Sequence, residues 1–464
     1  MRVSLIRNHD RSCQNSRQLE LVRRRAGVLP HLGLGYMHTA LTRRGHQVQT
    51  VDAQAMDLDS DGLLEALRGF APQLVGVTST TPSLPGALEA CRIAKELGCT
   101  TILGGPHTEV MAAENLFHDC IDYVGVGEGA SIMPDLVDAL ESGGDPRDIK
   151  GLVGRGFHNP PAEMLSLEEI GWPDRSAVPV ERYHSIMAHR PFTTMISSRG
   201  CPFQCSFCFK QAVDKKSMFR SAPDVVGEME LLVRQFGVRE IMFYDDVFTM
   251  KKPRVYEICE LIRERGLKVR WEAPTRVDLV DEKLLRAMAS AGCVRLRFGI
   301  ESGDEQILDL MRKESDTGVI EEAVRTAKRV GIQTFGYFIV GWLGETREQF
   351  RRTVDLATGM PLDYASFYTA TPLPGTALHR EAVAAGKTAP DYWLRFVQGE
   401  ATDRIGFLVP EAEQRSREAY RDFYYRWSKL PTLASRMTSP AAAWDVVSGL
   451  AALMKSSSNQ QRDM

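Results

Sequence analysis

No stretch of the 464 residues approaches the ~18 consecutive apolar residues that a membrane-spanning helix needs. The opening segment, MRVSLIRNHDRSCQ, lacks the apolar core of a secretory leader. A surplus of charge is missing as well: the net charge is −3, so bulk electrostatics argue for neither nucleic acid nor an anionic membrane surface as a partner. Paired cysteines are scarce. Of nine, Cys13, Cys91, Cys99, Cys120, Cys259 and Cys293 stand singly, which argues against a disulfide framework and for a reducing cytoplasm. Cys91, Cys99, Cys259 and Cys293 read as small buried hydrophobes. Past residue 385 no C-x-x-C pair offers a site for an additional cluster. What is present, 43% hydrophobic and 25% charged residues, is the composition of an ordinary globular protein of two or three domains.

The three remaining cysteines fall together. After a short β-type run at 192–196 the chain breaks at Ser197-Ser198-Arg199-Gly200, and Cys201, Cys205 and Cys208 follow at C-x3-C-x2-C spacing. Thiolates this close let one loop wrap a soft metal centre. Three are one short of the four that close a zinc site or hold a cluster, which leaves a coordination position open. With Phe207 just before the last cysteine, the motif resembles the radical S-adenosylmethionine (SAM) superfamily. There the three cysteines hold a [4Fe-4S] cluster whose fourth iron binds SAM and cleaves it to a 5′-deoxyadenosyl radical. The alternative is a zinc knuckle completed by His184 or His189.

From residue 1 to about 150, β-type and helical segments alternate: strands at 2–6, 48–51, 74–78, 100–103 and 123–126, and helices near 34–43, 63–67, 83–97 and 132–140. This predicts a doubly wound parallel sheet, an α/β fold with ligands at the carboxyl ends of the strands. The loops there are Thr78-Ser79-Thr80-Thr81-Pro82, Gly104-Gly105-Pro106-His107-Thr108 and Gly127-Glu128-Gly129. Their glycines admit a ligand close to the backbone, and their hydroxyls offer neutral hydrogen bonds. With Leu32-Gly33-Leu34-Gly35-Tyr36 upstream, their order resembles the Rossmann-like cobalamin (B12)-binding domain found before many radical SAM enzymes. The resemblance implies cobalamin contacts from Thr78, Ser79, Thr80, Gly104, Gly105, Pro106, His107, Gly127 and Glu128. The D-x-H-x-x-G motif that ligates cobalt in other cobalamin proteins is absent; the nearest text is Asn8-His9-Asp10-Arg11. Cobalamin is therefore expected without a histidine beneath the cobalt, and His9 and His107 as surface or loop residues.

The expected division is a cobalamin domain over 1–145, a Pro- and Gly-punctuated linker over 146–190, a barrel over 191–385 and a mostly helical region over 386–464. In the barrel, strands are predicted at 192–197, 240–244, 268–272, 294–300, 334–340 and 364–368, with helices between, which fits a partial (β/α)6 barrel. Its strand ends carry Asp245-Asp246, Arg276, Glu301-Ser302, a Gly341-to-Thr346 loop and a Thr371-to-Thr376 loop. These look like SAM-contact motifs of cobalamin-type radical SAM proteins. Asp245 or Asp246 would accept from the SAM ammonium, Arg276 would pair its carboxylate, Glu301 would accept from the ribose, and Phe207 and Ser302 would complete the site. In the aromatic helix at 416–427, Tyr420, Phe423, Tyr424 and Trp427 are expected to pack over the open side of the barrel. A further helix is expected at 441–454 and a frayed tail at 456–464.

The resemblance implies a class B-like radical SAM methyltransferase that methylates an unactivated carbon of a small or hydrophobic substrate. One SAM would methylate cob(I)alamin, a second would give the radical, and the substrate radical would take the methyl. An external one-electron reductant of flavodoxin or ferredoxin type would feed the cluster. Three alternatives stay open: a non-methylating member that forms, contracts or rearranges rings of a tetrapyrrole or lipid precursor, a radical SAM enzyme without cobalamin, and a non-catalytic sensor.

Overall fold

The computed structural model describes residues 1–9, 27–185, 187–209, 217–401 and 405–429. Cys13, the helix expected at 441–454 and the tail at 456–464 lie outside the described residues.

The first sheet is built from short runs buried on both faces. In β1 (Arg2–Arg7), Val3 and Leu5 enter one apolar cluster while Ile6 enters the cluster on the opposite face, the two-residue period of a strand covered on both sides. Strands β2 (Gln47–Asp52), β3 (Leu74–Thr78), β4 (Thr100–Gly104) and β5 (Tyr123–Gly125) run parallel to it in the order β2-β1-β3-β4-β5. Helices α1 (Leu32–Arg43) and α4 (Gly129–Ser142) cover one face, and α2 (Ser60–Phe70) and α3 (Leu84–Glu96) the other. All five expected strands and four expected helices are present. The strand order reverses between β1 and β3, where a doubly wound sheet opens its ligand crevice. The sheet does not stop at residue 145: β6 (Leu152–Gly154) and β7 (Phe157–His158) add antiparallel to its edge. Their three- and two-residue lengths give no readable periodicity, so sequence put them in the linker.

Six strands form the second sheet: β8 (Phe192–Met195), β9 (Glu240–Phe243), β10 (Arg270–Thr275), β11 (Cys293–Glu301), β12 (Gln333–Val340) and β13 (Tyr364–Thr369). All are parallel and pair in chain order, an open half-barrel. Along β11, Leu296, Phe298 and Ile300 join the apolar layer under the helices, and Arg295, Arg297, Gly299 and Glu301 alternate onto the concave side. That layer is formed with α5 (Ala222–Phe236), α6 (Lys252–Glu264), α7 (Glu282–Ser290), α8 (Thr317–Arg329) and α9 (Arg347–Gly359). The connecting segment closes the N-terminal mouth of the half-barrel. There the His189 amide donates to Glu240 Oε2 at 3.1 Å and Arg295 Nη2 donates to the Met187 carbonyl at 2.8 Å.

The last described elements bind the two sheets to each other and cover an exposed edge. In α10 (Tyr392–Val397), Trp393, Phe396 and Val397 pack into the N-terminal core beside Ala112 and Cys120. Helix α11 (Ala412–Tyr424) lies along edge strand β13, whose outer backbone groups would otherwise lack partners. The Tyr424 hydroxyl donates to the Ala365 carbonyl at 2.8 Å and accepts from its amide at 3.1 Å, while Ser416 Oγ donates to the Phe367 carbonyl at 2.7 Å. Tyr420 and Phe423 pack as expected; Trp427 does not, being 87% exposed beyond the end of the helix.

Candidate functional site

The cysteine loop is anchored by the residues between its cysteines. Ser206 donates from its amide to the Met311 carbonyl (3.0 Å) and from Oγ to the Leu310 carbonyl (3.1 Å), and its own carbonyl accepts from the Leu378 amide at 2.9 Å. Phe203 lies under the Arg276 guanidinium, 3.6 Å from its ring centroid, and Phe207 meets Trp342 edge-on. The Cys208 amide donates to the Cys205 carbonyl at 3.2 Å, the turn that brings the last two thiols together. Cys201 and Cys205 are partly exposed, Cys208 is exposed, and none is in a disulfide. The other described cysteines are buried; burial pushes the Cys259 thiol up to about 12 and the Cys91 thiol higher still. They remain neutral hydrophobes, not cluster ligands. His184 and His189 precede β8, at the opposite end of the half-barrel from the cysteines, so neither completes a zinc knuckle.

The strand-end residues fall into two groups. Glu301 and Phe207 border a lumen cavity of about 410 Å3 together with Tyr337, Trp342 and Tyr368. Glu301 stands in left-handed backbone conformation (φ +70°), and its carboxylate accepts from buried Lys313 at 2.9 Å. Arg312 and Glu314, which flank Lys313, are also left-handed (φ +55° and +52°), so three strained residues surround this one ion pair. Gly299 makes room for it, since a Cβ there would lie 2.9 Å from the Lys313 ammonium. Asp245, Arg276 and Ser302 are instead occupied with the protein. Asp245 Oδ1 accepts from the Ser197 amide (2.7 Å), and Oδ2 accepts from the Ser197 and Ser198 hydroxyls (2.5 and 2.6 Å). Burial raises its pKa against the pull of these bonds. It anchors the approach to the cysteines rather than facing a ligand. Arg276 donates to Asp278 and to the Lys313 carbonyl, leaving buried Nη1 as the guanidinium atom with no partner among the described residues. Ser302 Oγ is within 3.1 Å of Thr353 Oγ1 and accepts from the Asp304 amide.

A second cavity, about 500 Å3, opens at the switch point of the first sheet. Thr78, Gly104, Gly105, Pro106, Gly127 and Glu128 line it, as do Arg199, Gly200 and Asp246 from the half-barrel. Asp246 Oδ2 accepts from the Gly200 amide at 2.9 Å, and Arg199 Nη1 donates to Glu128 Oε2 at 2.6 Å across the two domains. The glycines differ in purpose. At Gly104 a Cβ would meet nothing within 4 Å, whereas at Gly105 (φ +97°) it would lie 2.6 Å from Thr78 Oγ1. Gly104 leaves cavity space; Gly105 lets two loops touch. Ser79, Thr80 and His107, expected as ligand contacts, build the loop instead. Ser79 pairs with Gly104 and His107 through the backbone, and Thr80 caps the turn at Ser83. His107 is fully buried between Thr81 and Asn115, and burial lowers its pKa to about 4.

Residues 195–357 match the radical SAM superfamily and residues 20–137 the B12 binding domain. An uncharacterized methyltransferase of Pyrococcus horikoshii is 33% identical over 410 residues, 86% of this chain and 88% of that one. The chain belongs to the B12-binding radical SAM family. It is an enzyme, and its cofactors are SAM, a [4Fe-4S] cluster and cobalamin. An anaerobic magnesium-protoporphyrin IX monomethyl ester cyclase of Rubrivivax gelatinosus is 31% identical over 370 residues, 77% of this chain and 67% of that one. Among solved structures, the cobalamin-dependent S-adenosylmethionine radical enzyme OxsB, with aqua-cobalamin and SAM bound, gives a TM-score of 0.71. At 16% identity over 96% of this chain and 70% of that one, this is a likeness of fold.

The residues fit those groups. Three accessible thiols on an anchored loop suit a cluster with one open iron, and a glycine-cleared crevice at a switch point suits a large planar cofactor. No described helix is long and apolar enough to cross a membrane. Sequence reasoning missed Arg199, Lys313, Arg297, Tyr337, Tyr368 and His31. Arg199 could have been found as the charged residue beside Cys201; the others carry no local signal, because only the fold brings Tyr337, Tyr368 and His31 to a cavity and pairs Lys313 with Glu301 and Arg297 with Glu272.

Proposed function

We propose that this enzyme transfers a methyl group to an unactivated carbon of a small or hydrophobic substrate. The carrying observation is the shared cavity wall: Arg199, Gly200 and Asp246, at the cysteine loop, face the same space as Gly104 and Glu128 of the B12-binding domain. Bound here, the cluster would supply the electron that cleaves SAM with methionine as the leaving group, and cobalamin would supply a methyl group drawn from a second SAM. Cys201, Cys205 and Cys208 would hold the cluster. The unpartnered Nη1 of Arg276 is the atom available to the SAM carboxylate, and Lys313 fixes the Glu301 carboxylate where it can accept from the ribose. Phe207, Tyr337, Ile339, Trp342 and Tyr368 give the lumen apolar walls that exclude water from a radical. An external reductant of flavodoxin or ferredoxin type reaches the cluster beside exposed Cys208.

A second reading, ring formation or rearrangement without methylation, is favoured by the identity to the Rubrivivax cyclase. Product mass separates the two. Anaerobically reconstituted enzyme is incubated with dithionite, an apolar metabolite extract and SAM carrying a deuterated methyl. Methyl transfer yields a substrate-derived product bearing the labelled methyl; a substrate-derived product without it supports the second reading, since labelled methionine and unlabelled 5′-deoxyadenosine form in both.

A further inference from the structure

Four polar side chains meet on the concave side of the half-barrel, deeper in the lumen than Glu301. They are Tyr244 just past β9, Arg297 of β11, Tyr337 of β12 and Tyr368 of β13. Tyr337 and Tyr368 line the lumen cavity with ring centroids 6.2 Å apart. Arg297 stands two residues before Gly299, which lines the same cavity, so strand alternation turns both to one face. Tyr244 and Tyr368 are 52% and 46% exposed, yet burial raises the pKa of both phenols. Wide accessible surface on a desolvated group marks the wall of an internal space, not the outside of the molecule. The Arg297 charge opposes the shift at Tyr244, which puts the guanidinium beside that phenol.

This wall carries a surplus positive charge. Arg270, Arg295 and Arg297 share two carboxylates: Arg270 pairs with Glu240 at 3.2 Å, and Glu272 is divided between Arg295 and Arg297. The neighbouring charges are matched one to one, Arg7 with Asp52 at 3.3 Å and Lys313 with Glu301 at 2.9 Å. Arg297 Nη1 also donates to the Tyr337 hydroxyl at 3.2 Å. Because that oxygen accepts from a cation, its proton is left to donate, and no acceptor takes it among the described residues.

We propose that the substrate is a carboxylic acid, its carboxylate accepting from the Tyr337 hydroxyl and balancing the charge of Arg297. The inference rests on the reading of the lumen as the place where a small substrate meets SAM. A neutral lipid filling the lumen would strip water from an unbalanced guanidinium, which is costly. One surplus charge suits a carboxylate better than a phosphate monoester, which carries close to two. At about 3.3 Å per residue, Arg297 lies about 13 Å along the strand from Glu301. The acid held there presents to the SAM level a carbon several bonds from its carboxylate, an unactivated one.

The test uses the reconstituted full chain with dithionite, SAM carrying a deuterated methyl, and a metabolite extract split on an anion exchanger at neutral pH. A substrate-derived product is expected from the retained fraction, and none once the carboxylic acids of that fraction are converted to methyl amides. No product from the retained fraction, or product that still forms after amidation, would overturn the inference. The label keeps the two readings apart. An unlabelled product from retained acids would remove methyl transfer and support the carboxylate site; a labelled product from the unretained fraction alone would do the reverse. Tyr337→Phe keeps the ring and removes the donor. It is expected to raise KM for the retained substrate about tenfold, the loss of one hydrogen bond to a charged group. An unchanged KM would overturn the inference as well.

Discussion

The cavity of the first sheet is walled by glycines and apolar side chains such as Gly76, Ile102, Gly104 and Met133. The half-barrel lumen instead carries Glu272 between Arg295 and Arg297, topped by Tyr337 and Tyr368. Both regions are parallel sheets ending in glycine-bearing loops, and in both the polar residues nearest the strand ends are consumed by the loops. Ser79, Thr80 and His107 hold one loop together; Asp245 and most of the Arg276 fork hold the other. What reaches the cavity differs: mostly backbone and apolar surface in the first sheet, and a strained carboxylate paired with Lys313 in the half-barrel. A ligand meets the groups that loop construction leaves over.

The largest expected effect separates the two regions outright. Replacing Cys201, Cys205 and Cys208 by Ala abolishes 5′-deoxyadenosine formation and leaves corrinoid retention intact, because the first sheet has a core of its own. Lys313→Met comes next. It leaves the Glu301 carboxylate buried and unpaired, a loss of about 3–5 kcal/mol. This is read as a lower Tm and weaker SAM binding, with corrinoid retention unchanged. Between the two glycines, Gly105→Ala forces a left-handed alanine against Thr78 and destabilises the first domain by about 1–3 kcal/mol. Gly104→Ala keeps the Tm and lowers corrinoid retention alone.

Acid acts on the half-barrel. Burial opposes ionisation of Glu272, but Arg297 and Arg295 prevail and hold its carboxyl below the usual range. A carboxylate depressed in the folded state stabilises fully above its unfolded pKa, and that contribution disappears as pH falls through the lower folded value. Acid titration of stability is therefore expected to flatten in Glu272→Gln, a variant of lower stability at neutral pH. The smallest effect is Tyr424→Phe, which removes two bonds to edge strand β13 and costs about 1 kcal/mol in chemical denaturation.

The elements of both sheets were legible because their apolar periods are local, and the cysteine triplet because its spacing is local. Residues 152–158 were not, since three- and two-residue edge strands show no period. The docking of Trp393 and Phe396 into the first domain was hidden for another reason: an apolar helix face does not name the core it enters. In the site, residue type at a strand end was readable, but its partner was not. Asp245 looked like a ligand for an ammonium until Ser197 and Ser198 were found holding its oxygens. Lys313 and His31 had no motif at all.

The central claim is that one chain holds both cofactors facing a common cavity. The most direct test is anaerobic reconstitution with iron, sulfide and hydroxocobalamin, desalting, and addition of dithionite and SAM. The account predicts corrinoid retained in equimolar amount and 5′-deoxyadenosine that disappears with the three cysteines. Deoxyadenosine from protein that retains no corrinoid would contradict it.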